Sequence, residues 1–233
     1  MHYAIIAAGE GSRLKQEGIA RPKPLVQIHG ETLLERLIRI FLNNHAESIS
    51  LIINEEMIEV REFVAKLKLP VPFHCVVKST PGSMHSFYAL APYLMSGKFC
   101  MTTIDTIFHE NEFSEYIQLF EKDERVDGLM AVTDFIDDEK PLYVDTDEEL
   151  DIIGYFDVEY PGYKYISGGI YGLTPKALTI LTQCMESGKV RMRQFQRELV
   201  NSGLLLKAVP FSKIIDVDHA EDIVKAERFM AAE

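Results

Sequence analysis

Apolar residues along the chain come in two rhythms, short unbroken runs and stripes with helical spacing, and the two alternate almost from end to end. Tyr3 to Ala8 is a run without a polar break, halted by Gly9, which suits a buried central strand. After Pro24 a short strand through Ile28 turns at His29-Gly30. Thr32 with Glu35 forms a capping-box pattern, and Leu33, Leu34, Leu37, Ile38, Phe41 and Leu42 give the helix it opens one core-facing stripe. Ile49 to Ile53 predicts a strand, Met57 to Leu67 a helix, and Phe73 to Val77 another strand, ended by Ser79-Thr80-Pro81-Gly82. A helix from Met84 to Tyr93, a strand from Phe99 to Thr103, a helix from Asn111 to Lys122 and a strand from Gly128 to Val132 continue the alternation. Such a succession predicts an α/β fold with a mainly parallel sheet between helices.

The rhythm breaks at Asp134. From there to Tyr165 the chain is rich in Asp, Glu, Tyr and Gly, with short extended pieces at Leu142 to Val144 and Ile152 to Phe156. The stretch reads as a small β-rich insertion or flap over the sheet, placed to bear a second substrate, or as a solvated acidic surface. A strand then runs from Tyr165 to Tyr171, and Thr174-Pro175 caps the next helix with proline in its first turn. A helix from Met192 to Asn201 stops at Gly203, Leu204 to Val209 and Ile214 to Val217 are strands, and Asp216 to Asp222 lead into the last helix. There is no internal repeat. The expected organisation is one domain over residues 1–233, divided into halves at 1–133 and 134–233.

Composition narrows the class. With 233 residues, 47% hydrophobic and 26% charged, the chain has the make-up of an ordinary soluble protein with a sizeable core. No apolar stretch approaches the roughly 20 residues of a membrane span, and Met1-His2-Tyr3 lacks a signal peptide's basic and apolar regions, so the cytosol is the expected compartment. Cys75, Cys100 and Cys184 lie far apart without a Cys-x-x-Cys pair, which suits buried reduced thiols rather than a zinc site. A net charge of −12 without a basic stripe argues against nucleic acid. Locally the sign reverses. Arg13, Lys15, Arg21 and Lys23 stand against Glu10 and Glu17, and salt screening over about 8 Å lets that patch decide what binds nearby.

The patch coincides with the segment richest in chemistry, Ala7-Ala8-Gly9-Glu10-Gly11-Ser12-Arg13-Leu14, continuing to Pro22-Lys23-Pro24-Leu25. It leaves the C-terminal end of the first strand, where open α/β sheets bind ligands. Gly9 and Gly11 let the backbone approach a phosphate, Ser12 and nearby amides can donate to its oxygens, and Arg13 and Lys23 add positive charge. A dinucleotide fingerprint would need glycine where Leu14 stands, and a P-loop would need Gly-Lys before Ser or Thr. Both are excluded. Gly82 and Ser83, before a helix, suit contact with a base or ribose, or a plain helix cap with Ser83 as N-cap. Asp105, with Thr102, Thr103 and Thr106 nearby, suits Mg²⁺ held through water and substrate phosphates. Gly168 and Gly169 within a strand permit close approach of a ligand or a backbone.

Taken in order, Gly9 to Leu14 with Pro22-Lys23-Pro24-Leu25, Asp105, Ser167-Gly168-Gly169-Ile170-Tyr171, and Asp216-Val217-Asp218 before Glu221-Asp222 resemble the sugar-1-phosphate nucleotidyltransferases across nearly the whole chain. The resemblance implies a Rossmann-like three-layer fold, a nucleotide-binding first half and an acceptor-binding second half. It implies transfer of a nucleotidyl group from a nucleoside triphosphate to a sugar 1-phosphate, with Mg²⁺. Ala8, Gly9, Gly11 and Ser12 would hold the triphosphate, Gly82 and Ser83 the base, and Gly169 the sugar. Arg13 would stabilise the departing pyrophosphate and Lys23 would bridge the α-phosphate and the attacking group. Asp105 and Asp218 would ligate the metal, with Asp216 supporting them. Two positions depart from the family pattern: Ile104-Asp105 replaces Gly-Asp, and Glu159-Tyr160-Pro161 replaces Glu-Lys-Pro. Glu159 and Lys164 are then the acceptor candidates, Lys164 in place of the missing lysine. A phosphocholine-type acceptor, a glycosyltransferase using Asp216-Val217-Asp218, and a non-catalytic nucleotide-binding regulator are the alternatives.

Overall fold

The computed structural model describes residues 1–136 and 140–231. Among these, nine strands form the main sheet, in the order Ile152–Phe156, Tyr143–Thr146, Tyr165–Leu173, Phe99–Thr103, His2–Ala7, Ser48–Ile53, Phe73–Val77; Gly128–Thr133 pairs with Tyr165–Leu173 and carries Leu206–Pro210 on its far side. The four strands from Phe99–Thr103 to Phe73–Val77 run parallel. Tyr165–Leu173 runs antiparallel to all three of its partners. The sheet is therefore mixed and mainly parallel on its N-terminal side, as the alternation of runs and stripes requires.

The period-two character of the first strand explains the layering. Tyr3, Ile5 and Ala7 face one core with Leu34, Leu37 and Phe41 of the Leu33–Asn43 helix and Phe113 and Tyr116 of the Glu110–Lys122 helix. Ala4, Ile6 and Ala8 face the other, with Phe87 of Ser83–Leu90, Leu181 of Lys176–Glu186 and Phe195 of Met192–Asn201. Both faces are covered, so these strands carry apolar side chains on each side. The capping box at Thr32 forms as the sequence indicates: Glu35 N donates to Thr32 Oγ1 at 3.1 Å and Thr32 N to Glu35 Oε2 at 3.1 Å.

Three local departures have physical reasons. The extended pieces of the insertion become Tyr143–Thr146 and Ile152–Phe156, and they continue the main sheet at its edge instead of lying over it. Val144, Ile152 and Tyr155 thereby join the second core, burial that a separate flap would forgo. The helix expected from Met84 to Tyr93 starts at Ser83, is capped by Gly82, and gives way after Leu90 to a 3₁₀ turn, Ala91–Tyr93, which contains Pro92. The glycine loop is also not open throughout. Gly11 enters the left-handed region at φ 60° and starts a short helix, Ser12–Gln16, pinned by the buried Leu14. None of the described helices is long and apolar enough to cross a membrane.

Candidate active site at the C-terminal sheet edge

Three adjoining cavities open where the parallel strands end, and neighbouring ones share part of their lining. The innermost, about 190 Å³, is lined by Ala8, Gly9 and Gly11 from the first loop, Gly82 and Ser83 at their helix start, and Lys23 and Asp105. Behind it, Asn54 Oδ1 accepts from Ser79 Oγ at 3.1 Å and from the Glu56 amide at 2.9 Å, fixing the loop that leads to Gly82.

Lys23 is the pivot. It is 8% exposed, and its Nζ donates to Asp105 Oδ2 and to Asp218 Oδ1, each at 2.6 Å. Burial alone would lower the ammonium's pKa, but the charges and hydrogen bonds of Asp105 and Asp218 outweigh it and hold the pKa above its ordinary value. Arg13 donates to the other oxygen of Asp218, Oδ2, at 2.9 Å. Gly11 lets Lys23 sit so close, because a Cβ there would meet Lys23 Cβ at 3.3 Å and the backbone is left-handed.

Asp105 and Asp218 are distant in sequence and adjacent in space for a backbone reason. Asp105 sits in the turn after Phe99–Thr103, and the next two residues, Thr106–Ile107, pair antiparallel with Ile215–Asp216. Val217 N then donates to Asp105 O at 3.0 Å. Val217 is fully buried, and Asp218 is thereby held beside Asp105. Asp222 Oδ2 accepts from His219 N at 2.8 Å and closes the start of the Ala220–Met230 helix. Two carboxylates reaching a single cation fit Mg²⁺, which is held by one or two protein carboxylates with substrate phosphates and water completing its shell. Among the described residues no cluster of three or more His, Cys, Asp or Glu offers a self-sufficient metal cage.

The second cavity, about 460 Å³, shares Gly82, Ser83 and Thr103 with the first and is lined further by Ser167, Gly169, Asp216, Lys140, Arg191, Arg193 and Gln196. Gly169 stands at φ 75° inside a register break between Ser167 and Tyr171, and a Cβ on it would meet Thr106 Oγ1 at 3.4 Å. The buried Gln196 donates to Ser167 Oγ at 2.8 Å. Arg191 and Arg193 flank the first turn of the Met192–Asn201 helix, where positive charge opposes the helix dipole. Asp157 pairs with Arg193 and with Arg197, the latter at 2.6 Å. Among the described residues no carboxylate pairs with Arg191.

The third cavity, about 570 Å³, runs from Ser167, Gly168 and Asp216 past Asp218 to Arg13, Glu17 and His219. Here Glu17 forms a clasp across the molecule, accepting from His219 Nδ1 and from the Ala220 amide, each at 2.6 Å.

The residues singled out in the sequence therefore divide. Ala8, Gly9, Gly11, Lys23, Gly82, Ser83 and Asp105 share one cavity, with Arg13 and Asp218 joined to it through ion pairs. Gly169 and Asp216 line the second. Ser12 is exposed on the short helix. Glu159 and Lys164 lie exposed between Ile152–Phe156 and Tyr165–Leu173, and neither lines the three cavities; Lys164 Nζ sits 5.0 Å over the Tyr165 ring. Cations that the sequence reading passed over, Lys140, Arg191 and Arg193, line the second cavity instead. Two arginines at a helix start were the signal for them.

Residues 3–145 match the family described as the MobA-like NTP transferase domain. Over 97% of its length the chain is 24% identical to the bifunctional IPC transferase and DIPP synthase of Thermococcus kodakarensis, covering 50% of that protein, and 24% identical to the bifunctional protein GlmU of Methanococcus maripaludis, covering 53%. The chain thus spans about half the length of the curated relatives it matches. Among solved structures it is similar to the inositol-1-phosphate CTP transferase from T. maritima, with a TM-score of 0.82 at 22% identity, covering 99% of this chain and 94% of that one. HddC from Yersinia pseudotuberculosis gives a TM-score of 0.75 at 21% identity, covering 99% and 100%. These likenesses establish the fold. With the family match running from the first strand into Tyr143–Thr146, more than half of the chain, this protein belongs to the MobA-like NTP transferase domain family.

Proposed function

We propose that the protein is a cytosolic, Mg²⁺-dependent nucleotidyltransferase that joins a nucleoside monophosphate unit to a small phosphorylated acceptor, a sugar or polyol phosphate, and releases pyrophosphate. The observation that carries the reading is Lys23, buried between Asp105 and Asp218 in a glycine-lined cavity that shares Gly82, Ser83 and Thr103 with a cation-rimmed one. An acceptor phosphate is already an anion. Its oxygen attacks the α-phosphorus, and the bond to the bridging oxygen of pyrophosphate breaks, with no Ser, Cys or His nucleophile required. What such a reaction needs is placement and neutralisation of charge.

The residues suit those tasks. Ala8, Gly9, Gly11 and Ser12 receive the triphosphate, and Gly82 and Ser83 lie against the base. Lys23 bridges the attacking oxygen and the α-phosphate, while Arg13 draws charge from the leaving pyrophosphate. Asp105 and Asp218 would hold Mg²⁺, which would supply further neutralisation of the phosphates, and Asp216 would support them. Arg191, Arg193 and Lys140 receive the acceptor's phosphate, with Gly169 leaving room for its ring.

The test is Mg²⁺-dependent pyrophosphate release with each common nucleoside triphosphate against a panel of sugar 1-phosphates, inositol 1-phosphate and phosphocholine. Release that requires one triphosphate and one acceptor together fixes both substrates. A protein that binds no triphosphate would sink the reading.

A further inference from the structure

The two carboxylates assigned to the metal are already neutralised from within the chain. Lys23 Nζ lies 2.6 Å from an oxygen of each, and Arg13 takes the second oxygen of Asp218 at 2.9 Å. A divalent ion ligated by both aspartates at roughly 2.0–2.1 Å would sit in the gap that the ammonium fills. Two cations cannot share that gap, because at such a separation their repulsion is strong, and the side chain of Lys23 is only 9% exposed. We infer that Lys23 is an internal counter-ion occupying the place of the divalent cation between Asp105 and Asp218, so that metal binds only together with a triphosphate, whose oxygens draw Lys23 and Arg13 away. This rests on the reading of Asp105 and Asp218 as the metal's ligands, and it adds an order: the free protein is closed to Mg²⁺, and the nucleotide opens the site.

Two further features favour exchange of partners over a fixed lock. Gly11 and Gly9, which adjoin Lys23 in the same cavity, are the backbone expected to carry the phosphates, so the ammonium has an anionic alternative within reach. Arg13 and Asp218 are both substantially exposed, at 52% and 41%, and their pairing is free to reorganise, whereas the Lys23 stem is fixed by burial and can only redirect its tip.

Mn²⁺ as the probe, followed by electron paramagnetic resonance, together with thermal melts, tests this without relying on turnover. The wild-type protein should retain little Mn²⁺ alone and retain it once a non-hydrolysable α,β-methylene triphosphate is added. Lys23→Met should bind Mn²⁺ directly, about tenfold or more tighter than wild type, and its melting temperature should rise with Mn²⁺ by several degrees. Lys23→Met combined with Asp105→Asn should lose both gains. Wild type that binds Mn²⁺ unaided as tightly as Lys23→Met overturns the inference, as does a Lys23→Met protein with no gain. Should Lys23→Met fail to fold, the wild-type arm decides alone: nucleotide-dependent retention supports the exchange and tight unaided retention overturns it. A protein that shows the exchange yet joins no acceptor to any nucleotide would refute the proposed activity and leave this ordering intact.

Discussion

The two sides of the centre, proposed to take the nucleotide and the acceptor, hold charge in different ways. On the nucleotide side a buried lysine is clamped at 2.6 Å by two carboxylates and walled by a left-handed glycine. On the acceptor side the cations are more accessible: Lys140 and Arg191 are exposed, and Arg193 shares Asp157 with Arg197. Charge fixed in a desolvated frame acts strongly on a transition state that always forms in the same place. Exposed, hydrated charge adapts to whatever acceptor arrives, at a smaller gain per contact. On the proposed assignment, the comparison teaches that the first region would set the chemistry and the second the choice of substrate.

If so, substitutions on the nucleotide side should reduce turnover and those on the acceptor side should weaken acceptor binding. The largest effect is expected from Lys23→Ala, lowering kcat about a hundredfold or more, since one preorganised donor is worth roughly 3–4 kcal/mol, with Arg13→Ala, at an exposed side chain, lowering it less. The partly hydrated Asp105 and Asp218 keep the stability cost below the 3–5 kcal/mol typical of breaking a fully buried pair, so circular dichroism should show an intact fold. Wild-type turnover in either variant would remove that residue from the mechanism.

Gly11→Ala comes next. A left-handed alanine costs about 1–2 kcal/mol and its methyl group would meet Lys23 Cβ at 3.3 Å, so kcat should fall roughly tenfold with KM for the acceptor unchanged. Equal losses in both parameters would mean that Gly11 shapes the acceptor side too. Arg191→Ala should do the reverse, raising KM for the acceptor roughly tenfold, as loss of one charge-assisted hydrogen bond would, with KM for the triphosphate unmoved.

The smallest effect separates the clasp from both sides. His219 is held above its ordinary 6.5 chiefly by its hydrogen bond to Glu17, and Glu17 below its ordinary 4.5 by the Ala220 amide and then by His219. A raised histidine stabilises the fold fully below 6.5 and loses that contribution as pH climbs through its raised value. A lowered carboxylate contributes above 4.5 and loses it as pH falls through its lowered value. The difference in melting temperature between wild type and Glu17→Gln should therefore peak between 4.5 and 6.5, at most a few degrees, and shrink in alkaline solution. A difference that grows with pH would contradict the pairing.

Much of this was legible in the residues, and the limits of legibility follow from range. The apolar run Tyr3 to Ala8 marked the central strand because both of its faces had to be buried, and Thr32 with Glu35 marked a helix start because the cap is local. The acceptor side resisted for the opposite reason. Glu159 and Lys164 were marked by their place in a pattern, while the cations that line the cavity come from residue 140 and from the start of a helix some fifty positions on.

By itself, then, the sequence determined the alternation of strand and helix, the glycine loop and the identity of the charged groups, all of them consequences of side-chain period and backbone freedom over short spans. Only the tertiary structure decided that Lys23 lies between Asp105 and Asp218, and that Tyr143–Thr146 and Ile152–Phe156 join the main sheet. Those outcomes depend on the pairing of Thr106–Ile107 with Ile215–Asp216 and on the burial of Val144, Ile152 and Tyr155, contacts between segments whose separation along the chain leaves no local trace.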